Sequence, residues 1–247
     1  MNRFIYCLMG IALLMGCKKE IIDFPEEKNL PKVIRFGSTD NDVILSRATL
    51  GDYPENRVYN IYIAAYNSAG EKVYGQFFDA SNQKANSNDL ATATEDCWFV
   101  QNTNNSLANT TQGYLRISIP TGNNYKIYGF SNLDADMIDV SHDKLQAAST
   151  AEEGLKHFIA TLNQDVVSRN GYFPMSGVIE EVSIDAANVI SDSEGKTPAL
   201  NLYRMDAKVR FIFKKGTTDP NGQEIKQFIP GQWKVVNVPR KTYIMPY

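Results

Sequence analysis

The chain has 247 residues and a formal net charge of −3, with 25 Lys and Arg against 28 Asp and Glu. That mild acidity, with no basic run, argues against a nucleic-acid partner. The three cysteines, Cys7, Cys17 and Cys97, are too few and too scattered for a disulfide framework or a cysteine metal cluster.

Met1-Asn2-Arg3 makes a short basic start, followed by a nearly continuous apolar run from Phe4 to Gly16. Such a run suits a secretory h-region and is too short to cross a bilayer. No later apolar run in the sequence is long enough either. Leu13-Leu14-Met15-Gly16-Cys17 resembles the lipobox of bacterial lipoproteins. That resemblance implies that residues 1–16 are a signal peptide, that the Cys17 thiol is acylated, and that Cys17 becomes the first mature residue. Cys7 would leave with the signal, and Cys97 would stand alone. From Lys18 to Asp52 the chain is polar with two apolar islands, KVIRFG (Lys32 to Gly37) and DVIL (Asp42 to Leu45). Each is a candidate strand on an extended arm.

From Arg57 the pattern changes to period two. RVYNIYIAAYN sets Tyr59, Ile61, Ile63 and Ala65 on one face and Val58, Asn60, Tyr62 and Ala64 on the other, which predicts a strand. NSAG (67–70) reads as a turn and KVYGQFF (72–78) as the return strand. Residues 80–95, rich in Ser, Asn, Ala and Thr, predict a loop, CWFVQ (97–101) a short buried strand, and residues 102–113 a second polar loop. YLRISIP (114–120) and YKIYGFSN (125–132) predict two strands about the turn TGNN. Ser149 as N-cap with Glu152 three residues on makes a capping box. Leu155, Phe158, Ile159, Leu162 and Val166 recur at helical spacing, which predicts one amphipathic helix over 150–167. MSGVIEEVSI (175–184), ALNLYRMDAKVRFIF (199–213) and QWKVVNVP (232–239) are further strand candidates. Many short strands and one helix predict an all-β sandwich with a helical insertion in a crossover.

Chemistry-bearing motifs are scarce. GKT at 195–197 lacks the earlier glycine of a phosphate-binding loop, because Ile190 stands there, so a turn is the expected structure. Asn132, Asp134, Asp136 and Asp143 have calcium-loop spacing, but Met137 takes the place that needs glycine. The segment reads as a solvated acidic loop, and no metal site is expected. The only histidines are His142 and His157, with no zinc-protease or nucleophile-elbow motif around them. No catalytic residue and no cofactor is assigned. Glu26-Glu27 and Glu180-Glu181 read as solvated charges. The 13 tyrosines and 12 phenylalanines are expected mainly in the core, with sugar stacking as the alternative use.

Four pieces in order carry a wider resemblance: the lipobox at Cys17; RVYNIYIAAYNSAGEKVYG; YLRISIPTGNNYKIYGFSNLD; and FPMSG (173–177) followed by LYRMDAKVRFIF (202–213) and WKVVNVP (233–239). Together they resemble the fimbrillin (type V pilin) family of Gram-negative anaerobes. The resemblance implies transthyretin-like β-sandwiches and export as a lipoprotein to the outer membrane. It also implies a cut by an arginine-specific protease in the leader, which removes the lipid and the first strand. A strand from the next subunit would then fill the opened groove. Ser46-Arg47-Ala48 is the candidate cut, with Arg47 on one side and Ala48 as the new N-terminus; Arg35 is an alternative inside a candidate strand. KVIRFG is the segment expected to fill the groove before processing.

The expected organisation is a signal peptide (1–16), a lipidated arm carrying the first strand (17–47), an N-terminal β-sandwich (48–197) and the start of a second, incomplete one (198–247). The expected function is that of a structural subunit, or an anchor or tip component, of cell-surface fimbriae, and not that of an enzyme. Its expected partners are other fimbrial subunits through strand exchange, the outer membrane through lipid on Cys17, and a host or bacterial surface receptor for an adhesive role. The alternative is a surface glycan-binding β-sandwich lipoprotein.

Overall fold

The computed structural model describes residues 32–38, 57–102, 111–133, 140–161, 174–205, 221, 223–224 and 241–244. Cys17, Arg47, Ala48, Asp134, Asp136 and Met137 lie outside these residues, as do DVIL, WKVVNVP and the later part of LYRMDAKVRFIF. In chain order the elements are β1 (Val33–Ser38), β2 (Ile61–Tyr66), β3 (Lys72–Phe78), α1 (Asp89–Thr92), β4 (Cys97–Asn102), β5 (Thr111–Arg116) and β6 (Gly122–Ser131). There follow α2 (His142–Ala148), α3 (Glu152–Lys156), β7 (Ile159–Thr161), β8 (Met175–Ile184), β9 (Ile190–Ser191), β10 (Ala199–Arg204) and β11 (Lys241–Tyr243). The architecture is all-β, as its period-two segments require.

Among the described residues one nine-stranded sheet dominates, with the order β3-β2-β6-β8-β10-β1-β5-β4 and β9 set against β8. It curls until its two ends approach. The segment after β3 runs beside β4, where Trp98 donates its backbone N–H to Asn82 and accepts from Lys84. Asp96 ties the same region, accepting from the Tyr74 hydroxyl at 2.6 Å and the Ser118 hydroxyl at 2.7 Å. Inside the curl lies the largest core cluster, which includes Ile34, Phe36, Ile61, Ile63, Trp98, Leu115, Ile127, Leu200 and Leu202.

Both faces of β2 are buried. Ile61, Ile63 and Ala65 join the inner core, whereas Tyr62, Ala64 and Tyr66 face a second cluster outside the curl, with Leu145 of α2, Leu155 of α3, Ala160 of β7 and Ile244. The two-faced alternation expected for β2 starts only at Ile61. Before it, Val58 is buried and Tyr59 is exposed. There Asn132 accepts from the backbone of Tyr59 and donates to the carbonyl of Arg57, holding an irregular approach to the strand. A third cluster, of Val33, Leu90 and Cys97, covers the outer side of β1 and β4 beneath α1.

The helix expected over 150–167 is not one helix. Two short helices, α2 and α3, are followed by β7, which pairs with β11. Ser149 closes α2 instead of opening a helix. Ala151 is extended because it bridges Glu71 beside β3, so a helix cannot run through it. The helical spacing of Leu155, Phe158 and Ile159 therefore misleads: Ile159 is exposed on a strand. The loop expected over 80–95 contains α1, which sinks Leu90 into the third cluster. β5 begins at Thr111, in residues expected to be loop, and β6 begins at Gly122, in the expected turn. Around Gly195 (φ +77°) the chain makes the turn expected there, closed by hydrogen bonds between Asp192 and Lys196.

Candidate functional site

The sequence directs attention to the place of KVIRFG. Its strand, β1, is not an edge but lies between two partners. It runs antiparallel to β5, from Val33 opposite Arg116 to Ser38 opposite Thr111. It runs parallel to β10, from Arg35 beside Ala199 to Ser38 beside Leu202. Further backbone bonds fix its start: Lys32 donates to Asn188 at 2.7 Å, Ile117 donates to Lys32 at 2.8 Å and Arg35 donates to Pro198 at 2.9 Å. Among the described residues, β1 is thus the only link between β10 and the β5–β4 pair within the sheet.

The side chains alternate as a strand requires. Ile34 and Phe36 point into the inner core, each fully buried, while Val33 joins the third cluster. The Phe36 ring stacks on Trp98, with centroids 6.1 Å apart and planes at 29°. Its Cα partner across the ladder is Gly113, where any Cβ would collide with the ring. Arg35 lies on the opposite face and its guanidinium donates to the carbonyl of Thr197 at 2.8 Å. With its backbone paired on both sides, Arg35 is a poor protease site in the folded chain, since a protease binds an extended, unpaired segment.

Two polar clusters secure the helices to the outer face of the sheet. In the first, the Ser149 hydroxyl lies 2.8 Å from the Tyr62 hydroxyl, and Lys72 Nζ donates to both at 2.9 Å. The Tyr66 hydroxyl donates to the Ser149 carbonyl at 2.7 Å, and burial pushes its pKa well up. A Ser–Lys–Tyr triplet can activate a serine nucleophile. Here Ser149 and Tyr62 have no accessible surface, so the triplet acts as a latch on the end of α2.

In the second cluster Glu152 accepts from Lys156 at 2.9 Å, from Lys126 at 3.2 Å and from the Tyr128 hydroxyl at 2.5 Å. Burial alone would raise its pKa, but these three hydrogen bonds outweigh it and hold the carboxyl at about 2. Burial, then the bond to Glu152, drives the Tyr128 hydroxyl far up, and the same carboxylate raises Lys156.

The remaining chemistry-bearing residues are placed elsewhere. His142 stacks on Phe77 at 4.8 Å, and His157 pairs with Glu153 on the surface. Asn132, read as part of an acidic loop, is buried and binds backbone instead. Glu180 and Glu181 are exposed, as expected. Cys97 is a free thiol, buried among Val33 and Leu90, and burial pushes its pKa up. Among the described residues no group of His, Cys, Asp and Glu is arranged to hold a metal. Beside α1 an open polar cleft of about 400 Å³ is lined by Lys84, Asp89, Thr92 and Glu95. Gly113 and Trp98, which shape the place of Phe36, carry no motif that sequence reading could have singled out.

No protein-family model matches the chain, and no curated protein matches it. Solved structures do. A fimbrial assembly protein from Parabacteroides distasonis is 11% identical with a TM-score of 0.47, over 88% of this chain and 67% of that one. A candidate cell adhesion protein from the same species is 12% identical with a TM-score of 0.41, over 71% of this chain and 46% of the other. A candidate polysaccharide-binding protein from Bacteroides thetaiotaomicron is 12% identical with a TM-score of 0.33, over 69% and 47%. The chain therefore spans about two thirds of the first of these proteins and less than half of the other two.

Proposed function

We propose that this chain is a cell-surface fimbrial subunit or fimbrium-associated component, exported as a lipoprotein and assembled by strand exchange through the slot that β1 occupies. The observation that carries this reading is the position of β1. A strand that precedes Arg47 in sequence fills the middle of the sheet and places Ile34 and Phe36 in the core. Burying Val33, Ile34 and Phe36 contributes roughly 5–9 kcal/mol before ordering costs, comparable with the whole stability of a domain, about 5–15 kcal/mol. Removing β1 without replacement would leave β10 and β5 with unpaired backbone and an apolar groove. A strand from another subunit would satisfy both by β-augmentation. The lipobox at Cys17, the candidate cut between Arg47 and Ala48, and the ordered motifs of the chain support the same route.

Two measurements test it. Mass spectrometry of the mature N-terminus in cells distinguishes a lipidated Cys17, expected of a precursor or anchor, from a free Ala48, expected of a polymerising subunit. Deletion of the gene is expected to alter surface fibres seen by electron microscopy. Unchanged fibres, with the protein absent from purified fibres, would refute the assignment. The glycan-binding alternative draws no support from Trp98, which is fully buried and so cannot stack on a sugar.

A further inference from the structure

The slot is not uniform along its length. On the inner face of β1, Ile34 stands opposite Leu115, an ordinary apolar pair, but Phe36 stands opposite Gly113. A Cβ on Gly113 would collide with ring carbons Cζ and Cε1 of Phe36 and with the backbone carbonyl of Phe99, so glycine is required both by β4 and by the ring, and the ring lies directly over bare backbone. Trp98 forms the second wall, stacked on the same ring. This wall does not depend on β1. The Trp98 indole donates to the carbonyl of Asp79 at 2.7 Å, and its backbone is tied to Asn82 and Lys84. The niche is therefore built by β4, β5 and the segment after β3.

A groove lined evenly with leucines would accept an apolar strand in several registers two residues apart, because such slips preserve facing. This groove would not. A slip of two residues would place Ile34 over Gly113, leaving a void, or drive Phe36 onto Leu115, where a side chain already stands. We propose that Gly113 and Trp98 form an aromatic-selecting subsite that fixes the register of the strand entering this slot. The incoming strand, carried by another subunit, is an extended segment with an aliphatic residue followed two positions later by an aromatic one. It runs antiparallel to β5 and parallel to β10. The inference rests on the strand-exchange reading of the slot, and the strand that fills it in cis, Val-Ile-Arg-Phe-Gly-Ser, has this pattern.

The test uses the full chain with a specific protease sequence inserted between Arg47 and Ala48, folded whole and then cut. Fluorescent peptides spanning Lys32 to Ser38 compete for the slot, read by anisotropy and native mass spectrometry. The unaltered peptide is expected to bind, the Phe36→Ala peptide about 100-fold or more weakly, on the scale of truncating a buried phenylalanine. A peptide with its aromatic moved to position 34 and Ala at 36 is expected to be equally weak. In the chain, Gly113→Ala also presses on the Phe99 carbonyl, so its readout is the margin of the Phe peptide over the Ala peptide, which is expected to narrow. The peptide series on the unaltered chain decides the matter if that variant does not fold. Equal affinities across the series would overturn the subsite and leave strand exchange standing. If no peptide enters the slot after cutting, strand exchange itself fails, and the subsite with it.

Discussion

Glu152→Gln isolates the charge that holds α3 against the sheet. The amide keeps the size of the side chain and two of its acceptor sites but removes the negative charge seen by Lys126, Lys156 and Tyr128. The folded carboxyl sits at about 2, against an ordinary 4.5. A depressed folded pKa stabilises the native state fully above the unfolded value and loses that contribution as pH falls through the folded one. At about 1.4 kcal/mol per pKa unit, the depression amounts to an upper bound of about 3–4 kcal/mol. Lys126 and Lys156 are 35% and 39% exposed, so water screens the attraction, and a realised value of about 1–2 kcal/mol is expected. Urea unfolding of both proteins at pH 7 should show that difference. It should shrink steadily between pH 4.5 and pH 2, where the wild-type carboxylate is protonated in the unfolded chain and then in the folded one. A destabilisation that stays constant from pH 7 to pH 2 would refute the reasoning, because it would come from shape and not from charge.

Two further perturbations probe the slot and its surroundings. Phe36→Ala in the intact chain is expected to lower the unfolding free energy by about 3–5 kcal/mol, because the ring is fully buried against Trp98 and Gly113; a loss under about 1 kcal/mol in urea titration would show that the niche collapses easily. Cys97 is expected to resist alkylation at pH 8 in a folded chain beginning at Lys18 and to react once urea unfolds it, since burial both shields the thiol and raises its pKa. Rapid labelling of the native protein would contradict the packing of the third cluster.

Local pattern reveals some of these elements and conceals others for reasons visible in particular residues. β3 is read correctly because it is bounded by turn residues and pairs with its neighbour β2; β8 is also read correctly, although its core-facing side chains switch from Met175 and Ile179 to Val182 and Ile184 across the exposed Glu180 and Glu181. β1 is recognisable as a strand, but its place between β5 and β10 is not, because both partners are far along the chain. The start of β5 is hidden for the same reason. Thr-Gln-Gly looks like the end of a polar loop, and only pairing on both sides, to β1 and β4, makes it strand. The helical error has a different origin. Leu155 and Phe158 do face the second cluster, yet the bridge of Ala151 to Glu71 and the capture of Ser149 by Tyr62 and Lys72 divide the segment. Tertiary hydrogen bonds there override a periodicity of about 3.6. Gly113 carries no sequence signal because what sets it apart is the lack of a side chain where the Phe36 ring and the Phe99 carbonyl crowd it.

On the proposed route, the cut at Arg47 changes the thermodynamics of the slot more than its contacts. While β1 is part of the chain, it meets the slot at an effective concentration of order millimolar. Ordering and association costs offset part of the roughly 5–9 kcal/mol of burial, and the tether, by sparing the association cost, keeps the strand in place. Once cut, β1 remains with the lipid on Cys17 and becomes a separate ligand, which can leave and be replaced by a better-matched strand. A reversible covalent lock separates this from a role for the cut alone. Gly37 and Gln112 are Cα partners across the β1–β5 ladder, and cysteines at both positions should form a disulfide. After cutting at Arg47, the oxidised chain is expected to stay monomeric by light scattering, and reductant is expected to restore assembly at the rate of the cut, unlocked chain. Assembly of the oxidised chain would mean that subunits join without emptying this slot, and the strand-exchange role of β1 would have to be abandoned.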